Sequence, residues 1–267
     1  MNIILAATDF TPSSLNACLY GAMLAKKLKC KLVVFNLSEL PVAHANNGLY
    51  FISYNTLKEN SDEKMLKTLQ EIKQKFPKLP IQSLVITGGF KEEITRFLKQ
   101  HKVQSVVMGL GAKTKLAKFI FGSHSTDIAG KLTAPVIIVP EKFKVHSAKN
   151  IILSVDNNEA LSHQPLIPFE KMTGALHAKV KMLHVRTEDE LFHPAKLQIQ
   201  LHHKPHKIEA IFAKSIQEGV NLYRRKNNSD MVAVISKSHS SLYDLFAEST
   251  TKKIAFTSKV PVMAIHE

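Results

Sequence analysis

The chain has 267 residues, 45% hydrophobic and 22% charged, with a formal net charge of +14. That length suits two ordinary domains or one large one, and the composition excludes a disordered chain. No apolar run approaches the roughly 18 residues of a membrane span, and two cysteines, Cys18 and Cys30, do not make a disulfide scaffold. The opening "MNIILAATDF" reads as a strand rather than a signal peptide, so a cytoplasmic protein is expected. The positive field favours anionic partners. The lysines are scattered, with no arginine-rich tail and no recognition helix, so nucleic acid is not an expected partner.

In chain order, "NIILAAT" predicts a buried strand and "SSLNACLYGAMLAKKLK" a helix. "KLVVFNL" is a second strand, and "NSDEKMLKTLQEIKQKF" an amphipathic helix ended by Pro77. "IQSLVIT", "FKEEITRFLKQHK" and "VQSVVMG" follow as strand, helix and strand. "KLAKFIFGSHSTDIAGKL" then predicts helix, and "PVIIV" a last strand. Strands that are apolar throughout, separated by helices, predict a parallel sheet covered on both faces. In such folds ligands lie at the carboxyl ends of the strands, where the strand order reverses.

The pattern then repeats. "NIILAATDF" returns as "NIILSVDNN" at 150–158, and "STDIAGKLTAPVIIVP" returns as "TKKIAFTSKVPVMAIH". Pro135 and Pro261 lie 126 residues apart, and the same offset carries Ser123 onto Ser249. Two copies of one β-α-β unit are expected: residues 1–140, a polar linker at 141–149, and residues 150–267, with the copies packed together.

After the fourth strand comes "GLGAKTKLAKFIFGS". Gly109 and Gly111 let a ligand approach the main chain, Lys113 adds charge, and Ser123 stands where a helix start can face phosphate. The alternative is a tight turn whose glycines serve packing. The chain has no G-x-x-x-x-G-K-[ST] motif and no dinucleotide fingerprint.

These features together resemble the universal stress protein family, in a tandem arrangement covering nearly the whole chain. Nucleotide-binding members carry G-x2-G-x9-G-[S/T] after the fourth strand and an Asp at the end of the first. The resemblance implies two Rossmann-like domains of the adenine nucleotide alpha hydrolase type. Each would be a five-stranded parallel sheet of order 3-2-1-4-5, with ATP, with or without Mg²⁺, at the carboxyl edge. It also implies domain pairing through the last strand, here within one chain, and leaves room for a homodimer.

Carried over residue by residue, Asp9 matches the first-strand Asp, Leu37 the adenine-side aliphatic and Gly88 the third-strand loop glycine. Gly109, Gly122 and Ser123 match the motif, with Ser125 close to phosphate. Ala112 stands at the second motif glycine, with Gly111 one position early. In the second copy Asp156 matches Asp9, but Ile235, Ser238 and Glu248 replace the glycines and only Ser249 survives. That copy is expected to be a partner rather than an ATP site.

Four histidines crowd "FHPAKLQIQLHHKPHKI". His202 and His206 have the spacing of one helix face, which suits a metal, although Pro205 interrupts it; a polar surface segment is the plainer reading. Asp156 and His184 are expected near each other on adjacent strands. No nucleophilic triad is visible, and the reading leans against an enzyme, with slow ATP hydrolysis at most. The functional expectation is a regulatory adenine-nucleotide binder. The alternatives are an interaction module without nucleotide, or a binder of another anionic small molecule.

Overall fold

The computed structural model describes residues 1–38, 54–87, 90–110, 134–155, 163–187, 200–201, 204–205, 207–236 and 250–266. The first unit contains β1 (Ile3–Thr8), α1 (Pro12–Leu28), β2 (Lys31–Ser38), α2 (Tyr54–Lys75), β3 (Ile81–Thr87), α3 (Phe90–Gln100), β4 (Val103–Leu110) and β5 (Val136–Pro140). The second contains β6 (Asn150–Ser154), α4 (Ile167–Leu176) after a 3₁₀ turn at Gln164–Leu166, β7 (Lys179–Arg186), the short β8 (Gln200–Leu201) and β9 (Lys204–Pro205), β10 (Ile208–Phe212), α5 (Ile216–Lys226), β11 (Met231–Ser236), α6 (Thr250–Thr257) and β12 (Val262–His266).

Ten strands form one sheet in the order β10-β7-β6-β11-β12-β5-β4-β1-β2-β3. Each unit therefore has the order 3-2-1-4-5, as expected. Every pairing is parallel except the junction, where β12 meets β5 antiparallel, with Met263 opposite Ile137. Central strands of such a sheet are buried on both faces, and β1 is buried along its whole length.

α1 shows why the two units need each other. Thr11 caps it, its side chain accepting from Ser14 N–H, and Pro12 occupies the first turn. Ala17 through Ala25 are all buried. A helix apolar all round must be covered on every side. β1 and β4 cover one side, and α4 of the second unit packs on it as well. Tyr20 also meets Phe143 edge-on, with ring centroids 5.9 Å apart. A large side chain buried in this way contributes about 1.5–3 kcal/mol.

The segment between β5 and β6 is anchored at both ends. The Asn16 amide donates to the carbonyls of Pro140, Glu141 and Phe143, the last at 2.8 Å. Asp230 accepts from the backbone N–H groups of Lys149 and Asn150 at 2.8 and 2.9 Å. The segment reads as polar in the sequence, yet Phe143 and Ala148 are buried.

The copies align with a slip the sequence conceals. Lys29 and His177 end α1 and α4 in the same left-handed conformation. Lys31 N–H then donates to Asn2 O, and Lys179 N–H to Lys149 O. Asn2 thus corresponds to Lys149, not to Asn150, so the two "NIIL" runs are one residue out of step. The slip brings Asp9 and Asp156 into correspondence. A one-residue slip turns every side chain to the opposite face. It is tolerated because Ile151, Ile152 and Leu153 are buried whichever face they take.

One expectation needs correction. α2 begins at Tyr54, six residues before the predicted start. In the histidine-rich segment Gln200 pairs with Pro205 and Leu201 with Lys204 in a small antiparallel ribbon. His193, His202, His203 and His206 themselves lie outside the described residues. Among the described residues no group of three His, Cys, Asp or Glu side chains could hold a metal ion.

Candidate functional site

The strand order reverses between β1 and its neighbours β2 and β4, so the carboxyl ends of these strands form the expected crevice. Asp9 follows β1 directly. Its Oδ1 accepts from Thr11 Oγ1 at 2.6 Å and from Thr11 N–H at 3.2 Å, a local turn that launches α1. Between them Phe10 takes φ 62°, in the left-handed region. A bulky side chain is rare there, and such strain gathers at functional sites. Phe10 N–H is held by Thr8 Oγ1 at 3.0 Å.

A polar cluster lies beneath this turn. Thr8, Ser13, Ser14 and Asn36 are all buried. Ser14 Oγ donates to Thr11 O and lies 3.0 Å from Thr8 Oγ1. The Asn36 amide, on β2, donates to Thr8 O at 2.8 Å. Within this cluster two buried atoms have no hydrogen-bond partner among the described residues: Ser13 Oγ and Asn36 Oδ1. Leaving such an atom unsatisfied costs about 1–3 kcal/mol, so each calls for water or a ligand. Neither residue was singled out in the sequence. The available signal was a polar residue inside the apolar run "VVFNL", matched in the second copy by His184 inside "KMLHV".

Gly109, at the end of β4, faces Val139 of β5. A Cβ placed on it would stand 2.6 Å from the Ser13 carbonyl carbon and 2.7 Å from Ser13 Oγ. The glycine is required so that the first turn of α1 can close onto β4. It thereby borders the unpartnered Ser13 hydroxyl. Leu37 lies in β2, opposite Ile86. The structure thus brings Asp9, Gly109 and the end of β2 to one edge. Gly88, Gly111, Ala112, Lys113, Gly122, Ser123 and Ser125 lie outside the described residues.

In the second unit Ile235 faces Ile265, the register position that Gly109 holds against Val139. The 126-residue offset therefore holds in the hydrogen-bonded pairing. His184 is buried, with Nδ1 3.1 Å from Val155 O. It occupies the place of Asn36: Asn36 meets the carbonyl of Thr8, at the end of β1, and His184 that of Val155, just past the end of β6. Asp156 lies outside the described residues.

Comparison with known proteins now bears on this edge. The model of the Universal stress protein family matches residues 1–140, more than half of the chain. The chain belongs to the universal stress protein family. Universal stress protein MJ0577 of Methanocaldococcus jannaschii is 26% identical over 90 residues, which make up 33% of this chain and 56% of that relative. The chain thus spans little more than half the length of that curated universal stress protein. A universal stress protein from Archaeoglobus fulgidus superposes with a TM-score of 0.68 at 13% identity, over 98% of this chain and 97% of that one. The functionally unknown protein PA1789 from Pseudomonas aeruginosa gives 0.53 at 8% identity, over 99% and 92%. At these identities the likeness is one of fold, and it runs through both units. No helix among the described residues is long and apolar enough to cross a membrane.

Proposed function

We propose that this universal stress protein is a tandem, cytoplasmic member whose first unit, residues 1–140, binds an adenine nucleotide and acts as a regulator rather than a fast enzyme. The observation that carries the reading is the pair of unpartnered buried atoms, Ser13 Oγ and Asn36 Oδ1, at the edge where Asp9 and Gly109 meet. Asn36 Oδ1 is an acceptor suited to an exocyclic amine or a ribose hydroxyl. Ser13 Oγ sits at the positive end of α1, which suits a phosphate oxygen. Gly111, Lys113, Gly122, Ser123 and Ser125 would complete the phosphate contacts, with Ala112 the tightest point. Leu37 and Gly88 would flank the base.

Mg²⁺ enters this proposal only as the counter-ion of bound phosphates. Asp9 Oδ1 is already engaged by Thr11, and one carboxylate is thin support for phosphoryl transfer. The second unit, with Ile235 in the place of Gly109, serves as the built-in partner.

Mass spectrometry of gently purified protein should reveal a co-purified adenine nucleotide. Titration calorimetry of the stripped protein with ATP–Mg²⁺ should give saturable heat, and no heat at millimolar nucleotide would sink the proposal. A second reading, an interaction module without nucleotide, is favoured by one observation: packing against Ser13 alone accounts for Gly109. Co-purification of a different anion would favour a third ligand class instead.

A further inference from the structure

The opposite edge of the first unit holds a pocket that the nucleotide proposal does not use. It lies where α1 and α2 end, at the amino-terminal side of the sheet, and has a volume of about 390 Å³. That is within the range of small-molecule sites. Ala25, Cys30, Phe76 and Leu79 supply apolar walls, and Lys26, Lys29 and Lys78 stand at the rim. Among the described residues no acidic side chain lines it.

The walls are fixed by main-chain bonds. Cys30 N–H donates to Ala25 O at 2.8 Å, Phe76 N–H to Ile72 O at 2.8 Å, and Leu79 N–H to Phe76 O at 3.1 Å. Pro77 and Pro80 stiffen the turn between α2 and β3. Burial raises the Cys30 thiol, while the nearby Lys171 cation of the second unit opposes the rise. A further positive charge therefore reaches this region.

Lysines at a helix carboxyl end have a plainer use, since they offset the helix dipole. Two helix ends amount to about one negative charge in total. Three lysines line the pocket, and Lys171 adds a fourth close by. The balance stays positive, above an apolar floor.

We propose that this pocket binds a small amphipathic carboxylate, its apolar body against Phe76 and Leu79 and its carboxylate among Lys26, Lys29 and Lys78. The site is separate from the carboxyl edge, so an adenine nucleotide should not compete for it.

Decanoate is the probe, with 1-decanol as the uncharged control, on the full chain. Calorimetry should show saturable binding of decanoate, weaker binding of decanol, and no displacement by ATP. Nuclear Overhauser contacts should run from the decanoate chain to the Leu79 methyls and the Phe76 ring. The double variant Lys26→Gln/Lys78→Gln should weaken decanoate roughly fivefold without affecting decanol, as partly screened contacts would. Leu79→Trp, which fills the mouth, should abolish both while thermal melting shows the fold intact. Absence of saturable binding, contacts that map to another surface, or decanoate affinity unchanged in both variants would overturn the proposal.

Discussion

The carboxyl ends of β4 and β11 occupy matching places in two copies of one fold, yet they carry different residues. In the first unit Gly109 lets the start of α1 close onto the sheet, burying the Ser13 hydroxyl without a partner. In the second, Ile235 holds the same register against the last strand. One residue at a strand end thus differs between the copies: a glycine against which a helix terminus closes in the first, an isoleucine in the second. The sheet is indifferent to the choice, because the strand pairing is identical.

The most forceful way to break this comparison is to move the residue. Gly109→Ile would drive a side chain into the Ser13 main chain, and a loss of more than about 3 kcal/mol is expected in urea unfolding. The reverse exchange, Ile235→Gly, should cost about 1–2 kcal/mol, from the lost side chain and the freer backbone. A milder outcome for Gly109→Ile would mean that α1 can withdraw from β4.

Asn16→Ala should come next, at about 1–2 kcal/mol in the same measurement, because one amide holds three carbonyls of the inter-unit segment. Gln164 stands at the corresponding position of the second copy. Restoration by Asn16→Gln would show that the geometry is looser than the short bond to Phe143 implies.

Asn36→Ala removes the bond to Thr8 O together with an unsatisfied acceptor, so stability should fall by only about 1 kcal/mol. Affinity for ATP should fall about tenfold, a loss of about 1.4 kcal/mol. His184→Ala in the second unit should leave nucleotide affinity unchanged, and an equal effect of the two variants would remove the asymmetry.

The smallest effect at neutral pH concerns Cys18, whose counterpart is the buried Leu166. Burial pushes the Cys18 thiol up to about 12 from its ordinary 9.0. The fold favours the protonated form. Its contribution is therefore complete below pH 9 and is lost as pH rises toward about 12. Stability measured between pH 8 and about 11 should fall less steeply for Cys18→Ala than for the native chain.

The fold was legible in the sequence because its strands are continuous apolar runs and the copies share an offset. Pro135 and Pro261 mark that offset, and the pairing of Gly109 with Val139 and of Ile235 with Ile265 obeys it. The slip of "NIIL" was not legible. A strand buried on both faces carries no alternation to set its register. At the site, Asp9 and Gly109 announced themselves by type and position. Asn36 and Ser13 did not, since their meaning lies in which of their hydrogen bonds remain unmade.

The antiparallel seam between β5 and β12 has a consequence for dilution. Two separate chains meeting through such strands would part as their concentration falls. Here the strands belong to one polypeptide, and the nine residues that join β5 to β6, held by Asn16 and Asp230, tether the two units that carry them. The local concentration of one strand around the other is fixed by that tether. A cell holding few copies of the protein keeps the seam as intact as a cell holding many.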